Sequence, residues 1–250
     1  MKRILLFLLA ASLLLLSVTS CGKKASKFEF PAPTPGQLNG IAPASILTDG
    51  AAWFATVGFT SGLSDAAFKD VLSGFSYRGQ SLIDFSTPRY FNNDQGKGFR
   101  GNHADLNYGC VTASSGVAGL KAKTSSLTTR VEIENLNLPW GITMDDTLPQ
   151  VLEKIGLELD VDKDFVADSG SKTKMTLLSS ETAELTLNDL SRNTSAMYQY
   201  PYSLSFGCGE ILNRGEDDEV MVTYMFSFNF TQSTKTLSEI YITMQETTHL

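Results

Sequence analysis

Histidine is almost missing from this chain: His103 and His249 are the only two in 250 residues. Imidazole is the commonest general base near neutral pH and a preferred zinc ligand, so its scarcity narrows the chemistry at once. His249 stands beside the C-terminus, where chains fray, which leaves His103 as the one histidine placed to act as a base. Cysteine is scarce too, at Cys21, Cys110 and Cys208. A Cys110/His103 pair would need a third group to orient it and an electropositive pocket to lower the thiol pKa. The surrounding QGKGFRGNHADLNYGC carries no such signature, so a surface-loop histidine and a buried or bridged cysteine are expected. Two histidines and two cysteines without paired spacing do not make a zinc site. GKGFRG, residues 96–101, lacks the Lys-Ser or Lys-Thr that completes a phosphate loop, and a flexible loop is expected there. No motif calls for a cofactor.

Positive charge is also in deficit. Twenty Lys and Arg face 27 Asp and Glu, for a formal net charge of −7. Such a surface repels phosphate backbones, which excludes nucleic acid as a partner. A membrane-spanning segment is lacking as well: the longest apolar run, Ile4 to Leu16, falls short of the ~20 residues a helix needs to cross a bilayer. It follows Lys2 and Arg3 and precedes small or β-branched residues from Ser17 to Ser20, the order of a secretory signal peptide.

The residues at that junction, Val18-Thr19-Ser20-Cys21, resemble a bacterial lipobox, in which an aliphatic residue and two small residues precede an invariant cysteine. The resemblance implies that Cys21 receives a diacylglycerol thioether, that the bond before it is cut, and that the new amino terminus is acylated. Two or more acyl chains anchor stably where one holds marginally. The implied location is extracytoplasmic, at the cell membrane or the outer membrane. That compartment permits disulfides, and Cys110 and Cys208 could pair if the fold brings their Cα atoms within about 7 Å.

Most of what remains is organised for folding. Residues 21–44, with Pro31, Pro33 and Pro35 among lysines, glycines and serine, predict a lipid-anchored flexible linker after a signal peptide over 1–20. The alternative is an ordered first strand through Phe28 and Phe30. Two helical patterns follow, LSDAAFKDVLSGF at 63–75 and TMDDTLPQVLEKIGL at 143–157. In the second, Thr143 or Asp146 could cap, Leu148, Val151, Leu152 and Ile155 form the stripe, and Gly156 stops the helix. Strands are expected in MTLLSSETAELTLND, YSLSFGCGEI, VMVTYMFSFNF and TLSEIYITMQ, the last two joined as a hairpin through TQSTK. Tyr108-Gly109-Cys110 echoes Phe206-Gly207-Cys208, and the stretch at 127–133 echoes 237–243, in chain order. The expected fold is therefore α+β: two tandem repeats, 45–137 and 138–250, each a helix packed on an antiparallel sheet.

Gly-Ile-Thr before a Val-Leu-x-x-Ile-Gly helix, then Phe-Ser-Phe-Asn and Leu-Ser-Glu-Ile-Tyr-Ile strands, is similar to the small helix-plus-sheet fold of BamE-type lipoproteins and tandem-repeat β-lactamase inhibitor proteins. That similarity, mainly over 139–243, implies a protein that binds other proteins rather than turning over substrate. DVDKDFVADSGS places Asp160, Asp162, Asp164 and Asp168 at four oxygen-ligand places of a calcium loop. Phe165 replaces the required glycine and Ser171 the bidentate glutamate, so a solvated acidic loop is expected instead. Glu216-Asp217-Asp218-Glu219 is expected to be a solubilising loop. Trp53, Phe54, Trp140, Tyr198, Tyr200 and Tyr202 could line a sugar or peptide groove, although alternating tyrosines fit a strand face better. The preferred function is a non-catalytic binding module for a protein or peptide partner. A small-ligand-binding or sensory lipoprotein is the alternative, and an envelope enzyme comes third.

Overall fold

The computed structural model describes residues 27–30, 45–56, 70, 73–82, 89–91, 96–100, 104–113, 120–162, 164–167, 175–179, 181–192 and 202–249. The period-2 pattern Tyr224, Phe226, Phe228, Phe230 governs the architecture, because in a strand it sends every aromatic ring to one face. It lies in β11 (Val220–Phe230), which pairs antiparallel with β10 (Tyr202–Leu212) and β12 (Leu237–His249). The hairpin expected through TQSTK is the β11–β12 turn. Phe226, Phe228 and Phe230 are fully buried.

Among the described residues one ten-stranded sheet results, antiparallel except for a single parallel contact. The first half of the chain contributes β3 (Arg89–Phe91), β4 (Gly96–Arg100), β5 (Ala104–Ala113) and β6 (Leu120–Thr129); the second half adds β7 (Val166–Ala167), β8 (Met175–Ser179) and β9 (Ala183–Arg192) before β10. The order is β3-β4-β5-β6-β12-β11-β10-β9-β7, with β8 also on β9. Two four-strand meanders, β3–β6 and β9–β12, thus meet through their last strands, Leu127 opposite Ile242. A small hairpin of β1 (Ser76–Tyr77) and β2 (Gln80–Ser81) stands apart. GKGFRG is mostly strand β4 rather than a loop, and MTLLSSETAELTLND splits into the β8–β9 hairpin.

The described helices lie on one face of the sheet. Helix α2 (Leu148–Ile155) buries Leu148, Val151, Leu152 and Ile155, and Gly156 ends it at φ 81°, a left-handed conformation that costs glycine little. Its cap is Thr147, whose N–H donates to Gln150 Oε1 at 2.8 Å. Neither expected cap residue serves. Asp146 instead accepts from the Thr143 N–H and from Lys154 Nζ, both at 2.7 Å. Of the helix expected over 63–75, Asp70 and Ser73 are helical and Gly74 and Phe75 follow; the other residues lie outside those described.

Helix α1 (Ser45–Thr56) was not foreseen from the sequence, since glycine and threonine dilute its pattern. It buries Ile46, Trp53 and Phe54, and it crosses from the first half of the chain onto the strands of the second. The Phe54 ring lies 4.8 Å from Tyr224 and 5.6 Å from Phe226. An added Cβ at Gly50 would sit 3.1 Å from the Phe226 ring, so glycine is what permits this close approach. Trp140, in the 3-10 turn Pro139–Gly141, takes a left-handed φ of 58°. Its ring is wedged against Phe226 at 4.8 Å and Phe206 at 5.5 Å. That packing offsets a backbone strain of ~1–3 kcal/mol.

Cys208 is a buried free thiol, donating to the Ile46 carbonyl at 3.5 Å. Strands β6, β12 and β11 separate its strand from the strand of Cys110. Four inter-strand steps of ~4.8 Å put the two far beyond disulfide reach, so the pairing left open by the sequence is not made in this fold. Burial, with a smaller contribution from the charge of Glu210, pushes the Cys208 thiol up to about 12; the same two causes, in the same order, raise the Tyr224 phenol. Both groups stay protonated in the folded protein at pH values where the unfolded chain ionises them. The thiol's contribution to stability is complete below pH 9.0, its ordinary value, and is lost progressively toward 12, while the phenol's begins to be lost only above its own ordinary value of 10.0. Urea denaturation at pH 8, 9.5 and 11 should show a falling midpoint, and Cys208→Ala should flatten the first part of the fall. Cys208 should resist thiol reagents at pH 8 until urea unfolds the chain.

Candidate functional site

The sheet face opposite the helices carries many hydroxyls and glycines, with Met221 and Met225 among them on β11. Along β10 this face carries Ser203, Ser205, Gly207 and Gly209, with Ile211 beyond them at the strand's end, because Tyr202, Leu204, Phe206 and Cys208 point to the helices. A strand with so little side chain forms a shallow trough between β9 and β11. Ser205 and Ser227 hydroxyls meet across it at 2.8 Å. Gly207 leaves room for Asn188, whose Nδ2 would lie 3.1 Å from an added Cβ. At the Gly209 end an aromatic ring already occupies the trough: the Phe30 ring would come within 3.3 Å of a Cβ there.

Phe30 arrives with the short segment 27–30, which bends at Lys27 and packs on the body instead of belonging to a free linker. This corrects the expectation of flexibility over 21–44 at those four residues, although they form no strand. The clamp is Glu219. Its Oε1 accepts the N–H groups of Lys27 at 2.6 Å and Phe28 at 3.1 Å, and its Oε2 accepts the Gly215 N–H at 2.6 Å. Glu219 is only 2% exposed, so the last member of the acidic run is an internal acceptor rather than a solubilising charge; Glu216, Asp217 and Asp218 are exposed as expected. Lys27 Nζ donates to the Asp217 carbonyl at 3.2 Å. Phe28 is buried against the His249 ring at 4.7 Å, and His249 is not frayed, since it pairs with Leu120 at the end of β12.

At the other end of the central strands lies a cleft of about 630 Å³, lined by Tyr77, Arg130, Glu132, Met144, Asp145 and Thr236 among others. Arg130 reaches its wall held by Glu239 at 2.8 Å and Asp105 at 3.6 Å; Glu239 also accepts from Asn229 Nδ2 at 3.1 Å. The Met144 N–H donates to Glu132 at 2.9 Å. The cleft presents carboxylates, a guanidinium and hydroxyls, a lining that can hold a small polar molecule.

The acidic loop turns on itself. Asp164 Oδ2 accepts the Asp160 N–H at 2.7 Å, Asp160 Oδ1 accepts the Asp162 N–H at 3.0 Å, and Asp162 faces Lys235 Nζ at 3.7 Å. Phe165, at the place a calcium loop gives to glycine, is buried with its ring 6.1 Å from Tyr202. The loop's carboxylates therefore serve its own backbone and its buried phenylalanine anchors it. Asp168 lies outside the described residues, as do His103, Tyr198, Tyr200 and Cys21; Cys110 is placed in β5 by its backbone. The aromatics weighed for a groove belong to the core instead: Trp53, Phe54 and Tyr202 are buried there, Tyr202 on a strand face, and Trp140 packs against it. Trp53 Nε1 donates to the Asn137 carbonyl at 2.7 Å.

No protein-family model matches this chain, and no curated protein does.

Proposed function

We propose that this chain is a lipid-anchored protein of the cell envelope, fastened through Cys21, that holds an extended segment of a protein or peptide partner on the trough of the sheet face opposite its helices. One observation carries the binding part: the chain's own residues 27–30 pack at the Gly209 end, with a ring over a glycine and two backbone N–H groups held by a carboxylate. A surface that takes this peptide has the small side chains and hydrogen-bonding groups to take another along its length. The anchor is supported by the order of charge, apolar run and small residues before Cys21, and by the lipobox resemblance. Among the described residues no helix is long and apolar enough to cross a membrane.

Duplication of a helix-plus-sheet unit, over 45–137 and 138–250, belongs to the same proposal. The mirrored order of the two meanders about β6 and β12 supports it. The two cysteine echoes do not, because superposing meander on meander matches β5, with Cys110, to β11 rather than to the β10 of Cys208. A non-catalytic role follows the BamE-type and inhibitor-type resemblance; the acidic net charge argues against a nucleic-acid partner, and no motif calls for a cofactor. The Arg130 cleft favours the second reading, a receptor for a small polar ligand.

Two experiments test this. Cys21→Ser should move the protein from the membrane to the soluble fraction, and its purified mass should lack the lipid; an unchanged mass and continued sedimentation with vesicles would refute the anchor. A photo-crosslinking residue at Met225, on the trough face of β11, should yield a discrete adduct in native membranes. The same residue at Glu153, on helix α2, should not. Absence of an adduct from 225 across several growth conditions would refute the partner on this face, and saturable small-ligand binding abolished by Arg130→Ala would favour the cleft.

A further inference from the structure

The Glu219 clamp grips the chain only six residues after Cys21. Six residues span at most about 22 Å when fully extended, whereas the 24 from Cys21 to the start of α1 could reach several times as far. The clamp lies at the β10–β11 turn, since Gly215 and Glu219 both belong to it. The β11–β12 turn stands at the opposite end of β11, whose eleven residues put it ~34 Å away.

We infer that the clamp sets the orientation of the body at the membrane: the β10–β11 turn lies against the lipid surface, and the β11–β12 turn, with the Arg130 cleft near it, points away. This rests on the lipid anchor proposed above for Cys21. Three independent contacts hold the segment to that end of the sheet: the Glu219 carboxylate on two successive N–H groups, Lys27 Nζ on the Asp217 carbonyl, and the Phe28 ring on His249. The turn itself is acidic, with Glu216, Asp217 and Asp218 exposed, and headgroups of the same sign would repel it. Lys23 and Lys24 fall among the five residues between Cys21 and Lys27 and bring to the junction the positive charge that offsets those carboxylates. The trough on β10 then runs outward from the bilayer, with its Gly209 end nearest the lipid and its Ser203 end facing a partner that approaches from the aqueous side.

The test uses the full lipidated chain in vesicles of phosphatidylethanolamine and phosphatidylglycerol, in a Cys110→Ser background; the buried Cys208 thiol, pushed up to about 12, does not compete for label. A fluorophore is attached at Glu216→Cys or at Ser233→Cys, and its quenching by headgroup-linked acceptors is compared. For a separation of ~34 Å between the two turns, quenching should be at least about threefold stronger at 216, and Glu219→Gln or Phe28→Ala should shrink the difference. Either variant should also expose the bond after Lys27 to trypsin several-fold faster in the Cys21→Ser chain, a measure of the clamp that does not depend on lipid. Equal quenching at the two sites in a chain whose mass shows the lipid would overturn the orientation and leave the anchor standing. A mass without lipid would remove the anchor and the orientation together, while slow cleavage after Lys27 that Glu219→Gln leaves unchanged would overturn the clamp itself.

Discussion

Phe226→Ala should lower the stability of this protein by about 3–5 kcal/mol, the largest loss expected from any single truncation in its core. Phe226 is wholly buried and touches three elements: Phe54 from α1, Trp140 from the 3-10 turn, and Phe206 from β10 at 5.5 Å. None of these can close the gap freely. Trp140 is held by its left-handed backbone, and Phe54 is already engaged with Tyr224 at 4.8 Å. Urea denaturation followed by far-UV circular dichroism should show the midpoint falling with little change in slope, and a loss under about 1 kcal/mol would mean that the aromatic cluster is not the keystone described. A second substitution sharpens the test. Gly50→Ala alone should destabilise, because its new methyl meets an immovable ring at 3.1 Å. In the Phe226→Ala background that methyl enters vacated space and the helix gains the propensity difference between alanine and glycine, ~1 kcal/mol. The effect of Gly50→Ala should therefore change sign, and a double-mutant cycle should return a coupling clearly different from zero.

The strand pattern that seats Phe226 was legible because a period-2 run of aromatic residues admits one interpretation. The α2 stripe and its glycine stop were legible for the same kind of reason, since periodicity and a left-handed stop are local properties. Its cap was not, because Thr143, Asp146 and Thr147 all satisfy the local rule, and only the fold decides which N–H groups need an acceptor. Helix α1 went unseen: Gly50, Thr48 and Thr56 lower its propensity, and it is helical because Phe54 packs on Tyr224 and Phe226 of β11 and Ile46 meets Cys208 of β10, contacts distant in the chain. The single sheet was equally hidden. Two units can each be inferred from their own patterns, but the edge-to-edge pairing of β6 with β12 buries Leu127 and Ile242 only when both halves are present.

The candidate site was the least legible part. Short polar alternations such as Ser-x-Ser-x-Gly-x-Gly on β10 resemble ordinary exposed strand faces, and nothing in one strand reveals that its neighbours leave a trough above it. Glu219 looked like one carboxylate of an acidic run. The only local hint was Gly215 four residues earlier, a turn residue at φ 81°, which lets the chain double back so that the side chain faces inward. A solvated acidic loop and an internal clamp share one composition, and burial alone separates them.

Glu219→Ala should consequently cost far more than any other change in the acidic run. Removing the carboxylate leaves the Lys27, Phe28 and Gly215 N–H groups without their acceptor, and charge-assisted bonds of this kind are about twice as strong as neutral ones. Water can reach part of the site, since Lys27 is exposed and Gly215 half-buried, so the net loss should be about 2–4 kcal/mol rather than the full sum of three orphaned donors. Glu219→Gln keeps one oxygen for one side of the clamp but turns an NH2 toward the other, and should lose roughly half as much. Asp217→Ala and Asp218→Ala should stay within ~0.5 kcal/mol, the usual range for exposed positions. Hydrogen exchange separates this from a general weakening: in Glu219→Gln the amides of Lys27, Phe28 and Gly215 should lose protection while those of β11 and β12 keep theirs. If all of them lose protection together, Glu219 supports the whole sheet and is not a clamp on residues 27–30.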